Sequence, residues 1–165
     1  MPFNLFWVGF LALSFPNAKF IHCKRDARAT CWSNYETSFA EGNQYSFKLD
    51  EIVRHYNNCE DLMLFWKSKF QDRIFTLDYD AFTEEPEILG RNLFEFLQLL
   101  WKQEYLDGGK NNRPVKTASQ LQVKKGIYRG SSKVWKNFEP FIGKVMCTNP
   151  NDNEAWRAET TYTID

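Results

Sequence analysis

The sequence predicts an α/β fold, a parallel β-sheet flanked by helices, and three observations carry that reading. Two short apolar runs, residues 18–23 and 73–79, have the length and the aromatic and branched content of strands. Between them the apolar positions Leu49, Ile52, Val53, Tyr56, Cys59, Met63, Trp66 and Phe70 follow helical spacing for about six turns. A second helical pattern follows the later strand. Strands separated by helices imply a parallel sheet covered on both faces, with a right-handed crossover.

The elements follow in order. Met1-Pro2-Phe3-Asn4 leads into the apolar run 5–13, read as a core helix that ends before Pro16, with Asn4 as its cap. The run lacks the basic flank and cleavage site of a signal peptide and is too short to span a bilayer. After the first strand a helix is expected over 27–39, broken by Glu41-Gly42-Asn43-Gln44. The long helix starts near Leu49, with Asp50 and Glu51 in its first turn, where acid is favourable. Thr83-Glu84-Glu85-Pro86 opens the next helix, with Ile88, Leu89, Leu93, Phe96, Leu97 and Leu100 behind it.

Beyond Trp101 the pattern changes. Residues 107–114 are polar and turn-rich, and 123–136 set Lys124, Lys125, Arg129, Lys133 and Lys136 around Tyr128 and Trp135. The expected organisation is one domain over 1–146 and a polar tail over 147–165.

Bulk properties exclude some functions. The 21 basic and 21 acidic residues of the 165-residue chain cancel, so no global field would draw nucleic acid. The four cysteines (Cys23, Cys31, Cys59, Cys147) have no CxxC spacing, and His22 and His55 are the only imidazoles. That pattern reads as reduced, buried thiols rather than a zinc cluster. His22, on a strand, reads as structural.

One stretch carries functional chemistry. Residues 18–35 run from the first strand through Lys24-Arg25-Asp26 into a helix. A strand that ends in arginine and hands over to a helix start can hold an anion: Arg25 offers a planar fork of donors, and Ser33 adds a hydroxyl eight residues on. The plainer reading pairs Arg25 with Asp26 or Asp78 and leaves Ser33 an ordinary helix residue.

The blocks Pro16-Asn17-Ala18-Lys19-Phe20-Ile21-His22-Cys23-Lys24-Arg25-Asp26, Cys31-Trp32-Ser33-Asn34-Tyr35, Phe39-Ala40-Glu41-Gly42 and Leu77-Asp78-Tyr79-Asp80 stand in order. Thr117-Ala118-Ser119, then Ile127-Tyr128-Arg129 and Trp135 complete the set. Together they resemble a sulfotransferase domain that uses 3′-phosphoadenosine 5′-phosphosulfate (PAPS). The likeness is nearest to the bacterial type often fused to tetratricopeptide repeats and related to tyrosylprotein sulfotransferases. It covers residues 1–142.

The resemblance implies a P-loop-like sulfotransferase fold, PAPS as co-substrate with no metal, and transfer of the sulfuryl group to a hydroxyl or amine. In it Arg25 and Ser33 hold the 3′-phosphate, Tyr79 touches the adenine and Ser119 lies in a loop near the nucleotide. Lys133 stands one place from the family's basic residue before the tryptophan, a place that Val134 takes here. The acceptor stays open between peptide tyrosine, carbohydrate and a small-molecule hydroxyl. The free-looking cysteines point to the cytoplasm, and the alternative is the Golgi lumen for a eukaryotic tyrosylprotein type.

The family's Gly-rich loop for the 5′-phosphosulfate is the part this sequence does not offer. Gly9 stands in an apolar helix, and Gly108-Gly109 lies in a late loop without a following Lys-Ser/Thr. A kinase-like nucleotide enzyme is disfavoured on the same ground. The expectation is an N-terminally truncated domain whose catalytic residues belong to the absent segment. The alternative is a catalytically incompetent remnant that keeps only a half-site for 3′-phosphoadenosine.

Overall fold

In a computed structural model of the chain, the structure describes residues 2–37, 39, 43–107, 127 and 129–142. It divides into two compact units, Met1–Arg25 with Phe65–Ser131, and Asp26–Leu64 with Ser132–Asp165.

The first unit holds the sheet. Strands β1 (Phe20–Lys24) and β2 (Ile74–Asp78) pair in parallel, in register from Phe20 opposite Ile74 to Lys24 opposite Asp78. The parallel pairing expected from the helical crossover is therefore present. Its coverage is not as expected. Helix α5 (Pro86–Leu97) packs on β2, with the Phe75 and Phe96 rings 5.2 Å apart. On β1, however, Ile21 remains 43% exposed and Cys23 is exposed as well. Side chains alternate between the two faces of a strand, so Ile21 and Cys23 share one face, and that face is the less covered one.

The apolar run near the start also differs from the expected core helix. It opens with a 3₁₀ stretch, Pro2–Trp7, and α1 spans Val8–Ser14, ending before Pro16 as the sequence implied. Asn4 lies inside the 3₁₀ stretch, and the residue preceding α1 is Trp7, which makes no side-chain cap. Only Val8 and Ala12 of α1 are buried, while Phe6, Trp7, Phe10 and Leu13 are more than half exposed. An all-apolar sequence has no polar face to orient it, so periodicity could not say which side would be covered.

Two contacts fix α1 in this unit. The Trp66 indole lies against Gly9 and its Nε1 donates to the Leu5 carbonyl at 2.9 Å. A Cβ at Gly9 would meet the indole at 2.5 Å, so glycine is there for close approach rather than for its conformational freedom. Arg73 donates to three carbonyls of α1 and its exit, Ala12 at 3.0 Å, Phe15 at 2.7 Å and Ala18 at 2.9 Å, and the Phe15 carbonyl also accepts from the Ala18 N–H at 3.0 Å.

Between β2 and α5 the sequence reading missed an element. Tyr79–Glu84 form the short helix α4, and α5 then starts with Pro86 in its first turn. Helix α5 ends at Gln98, which takes left-handed φ 60°, and its N–H donates to the Glu95 carbonyl at 2.9 Å.

The second unit is built from helices. It comprises α2 (Ala27–Glu36), a 3₁₀ turn Gln44–Phe47, residues 49–64 of the long helix α3 (Leu49–Lys69), residues 132–138 of the 3₁₀ stretch Ser131–Phe138, and the turn Glu139–Ile142. Cys31, Ile52, Val53 and Ile142 form its core, with Trp32, Tyr45, Leu49 and Tyr56 packed around them. The Trp32 and Phe138 rings stack with centroids 4.4 Å apart, and Arg28 lies over the Trp135 ring at 5.0 Å.

The cysteine expectation holds in part. Cys31 is a buried thiol, Cys59 is half-buried, and Cys23 is exposed because its strand position faces the open side of β1. Cys147, the expected tail, the basic residues Lys124 and Lys125, and Tyr128 lie outside the described residues.

Candidate functional site

Parallel pairing dictates where the site begins. Because β1 and β2 run the same way, both end on one edge of the sheet, and Lys24 opposite Asp78 is the last pair in register. Arg25 and Tyr79 are the residues that directly follow the two strands. They meet there: the Arg25 guanidinium carbon lies 5.8 Å from the centroid of the Tyr79 ring. Both side chains are half-buried. The carboxyl ends of parallel strands are where open α/β sheets bind ligands, since the chain turns away there and leaves a crevice.

Each strand hands over to its helix by the same device. After β1, Asp26 caps α2, its Oδ1 accepting from the Ala29 N–H at 2.7 Å. After β2, Asp78 caps α4, its Oδ1 accepting from the Ala81 N–H at 3.0 Å. These are the two carboxylates that the plainer reading offered as partners of Arg25, and in each one oxygen serves a helix start. Sequence reasoning missed both caps, although Asp three residues before Ala at the end of an apolar run was a visible signal.

Tyr79 is the first residue of α4 rather than the last of a strand. The far end of α4 is held by Arg129, which donates from Nε to the Thr83 carbonyl at 3.1 Å and from its terminal nitrogen to the Glu84 carbonyl at 2.8 Å. A cation on the last carbonyls of a helix suits its dipole. Arg129 stood in the sequence among several basic residues and in the block Ile127-Tyr128-Arg129, but its pairing depends on contact between residues 45 positions apart.

The remaining expected site residues belong to other segments of the chain. Ser33 belongs to α2 in the second unit, half-buried, and its carbonyl accepts from the Thr37 hydroxyl at 2.6 Å. Lys133 is exposed on the 3₁₀ stretch Ser131–Phe138, two residues before the buried Trp135, and Val134 beside it is 39% exposed. Ser119 lies outside the described residues. His22 is half-buried on β1, in register with Thr76.

The Cys31 thiol in the second unit is suppressed. Burial and the Asp26 charge push the Cys31 thiol up to about 12, so it stays protonated at neutral pH. Among the described residues no group of three or more His, Cys, Asp or Glu could hold a metal ion, and no helix is long and apolar enough to cross a membrane.

Comparison with known proteins decides the family. Residues 1–103 match the sequence model of the Sulfotransferase family. The chain belongs to the sulfotransferase family. The matched span takes in β1, α2, α3, β2, α4 and α5, and so includes Arg25, Ser33 and Tyr79. A relative in Aquifex aeolicus (strain VF5), an uncharacterized protein, is 41% identical over 149 residues, or 88% of this chain. This sulfotransferase-family chain spans about a fifth of that relative's length, 20%.

Proposed function

We propose that this protein binds PAPS and serves the transfer of its sulfuryl group to a hydroxyl or amine acceptor. The observation that carries the reading is the Arg25–Tyr79 stack at the carboxyl edge of the sheet, inside the span that matches the family. A guanidinium beside an aromatic ring is pre-ordered by it, and its planar fork suits a phosphate, which can take two donors at once. The ring beside it suits a purine face.

In this reading Arg25 meets the 3′-phosphate and Tyr79 the adenine, with Ser33, Ser119 and Lys133 as further nucleotide contacts on the strength of the family pattern. The P-loop-like arrangement and the kinship with the bacterial repeat-associated and tyrosylprotein types rest on that pattern too. In the reaction the acceptor oxygen or nitrogen forms a bond to sulfur, and the bond from sulfur to the 5′-phosphate oxygen breaks. Adenosine 3′,5′-bisphosphate leaves, and the acceptor gives up its proton to a base. No metal is needed in this proposal, because the positive groups that hold the nucleotide supply the charge compensation.

The test is calorimetry with two nucleotides. The protein should bind adenosine 3′,5′-bisphosphate more tightly than adenosine 5′-monophosphate, and Arg25→Ala should remove the preference, a loss of about 2 kcal/mol for a charged hydrogen-bond pair. Equal affinity for the two nucleotides in the unaltered protein would sink the assignment. Binding with that preference but no turnover would favour the second reading, a half-site without chemistry.

A further inference from the structure

Apart from the sheet edge, the second unit holds a second cluster of chemically active side chains. On α3, His55 and Cys59 stand one turn apart, and Nε2 of the imidazole lies 3.5 Å from the Cys59 sulfur. The Tyr45 ring covers one face of the imidazole, with centroids 3.9 Å apart and planes 25° from parallel. Both His55 and Cys59 are half-buried, so the pair is shielded and still reachable from solvent.

The separation is informative. A tetrahedral zinc ion with sulfur at about 2.3 Å and nitrogen at about 2.0–2.1 Å sets those two donors about 3.6 Å apart. The His55–Cys59 distance therefore matches the donor separation that a soft tetrahedral ion sets. The stacked Tyr45 ring opposes rotation of the imidazole, the role that outer groups play around metal-bound histidines. Thiolate and imidazole together select zinc-like ions over magnesium or calcium.

We propose that His55 and Cys59 form a two-ligand chelate for a soft divalent ion such as zinc or cadmium, with two remaining corners left to water or an outside ligand. On binding, the Cys59 S–H proton passes to solvent as the sulfur–metal bond forms. His55 binds through the Nε2 lone pair and carries its proton on Nδ1. The site is independent of the nucleotide reading, and its test does not touch nucleotide binding.

The full chain is titrated with cadmium chloride in a thiol-free reductant, following the ultraviolet charge-transfer band of a thiolate–cadmium bond. One equivalent should saturate the band, and zinc should displace it. Cys59→Ser should abolish it, His55→Gln should weaken binding at least tenfold, and Cys23→Ser should leave it unchanged. Circular dichroism checks that each variant folds, and Cys59→Ala serves as a second probe if Cys59→Ser does not. A band that survives loss of the Cys59 thiol, or an affinity indifferent to His55→Gln, would overturn the proposal. So would the absence of any band, which would leave the pair as a plain hydrogen bond between thiol and imidazole.

Discussion

Arg25 and Tyr79 come from strands about fifty residues apart, yet the guanidinium lies over the ring at 5.8 Å because parallel register brings both strand ends to one edge. The stack is half-exposed, so its own contribution to stability is small, about 0.5–1 kcal/mol. A double-mutant cycle with Arg25→Ala and Tyr79→Ala, read by urea unfolding, should return a coupling of about that size. Tyr79→Phe should retain it, since the ring and not the hydroxyl carries the contact. Strict additivity of the two alanine variants would show that the stack does not couple them.

The two aspartate caps make a paired prediction. Asp26→Ala and Asp78→Ala should each cost about 1 kcal/mol, while Asp26→Asn and Asp78→Asn should cost only a few tenths. The asparagine oxygen can still accept from Ala29 or Ala81, so the effect tracks the acceptor and not the charge. If asparagine proves as damaging as alanine, the carboxylates act in some way other than capping.

Gly9→Ala separates packing from helix propensity. In an exposed helix the change would be favourable by about 1 kcal/mol. Here the new methyl meets the Trp66 indole at 2.5 Å, and overpacking should make the change unfavourable by about 1–3 kcal/mol. Thermal unfolding of Gly9→Ala, and of Gly9→Ala with Trp66→Leu, checks this, because the smaller partner should recover most of the loss. A stabilised single variant would show that the indole yields freely.

His55 should make stability depend on pH. Burial holds its imidazole below the ordinary value of 6.5. As pH falls the unfolded chain takes up a proton that the folded chain resists, so this contribution is complete above about pH 6.5 and is lost below it. Urea midpoints measured at pH 7.5 and 5.5 should drop toward acid, and His55→Gln should flatten that dependence. An unchanged slope in His55→Gln would assign the effect to other groups.

Much of this was legible from residue order. Long helix α3 declared itself through a sustained apolar stripe, and the helix boundary before Pro16 followed from steric exclusion at proline. Arg25 was conspicuous because it ends an apolar strand, and the one-turn spacing of His55 and Cys59 was there to be counted. Helix α4 was not legible, since six residues give too little periodicity to tell a helix from a strand end.

The sequence by itself determined the alternation of strands and helices, the parallel sense of the sheet and the family motifs, because these depend on local spacing and short-range sterics. Only the tertiary structure decided which groups meet. It set Tyr79 beneath Arg25, Arg129 on the end of α4, Arg73 on three carbonyls near α1, and Tyr45 on His55. All but the last of those contacts join residues more than forty positions apart, and all four depend on distance and burial that no local pattern encodes.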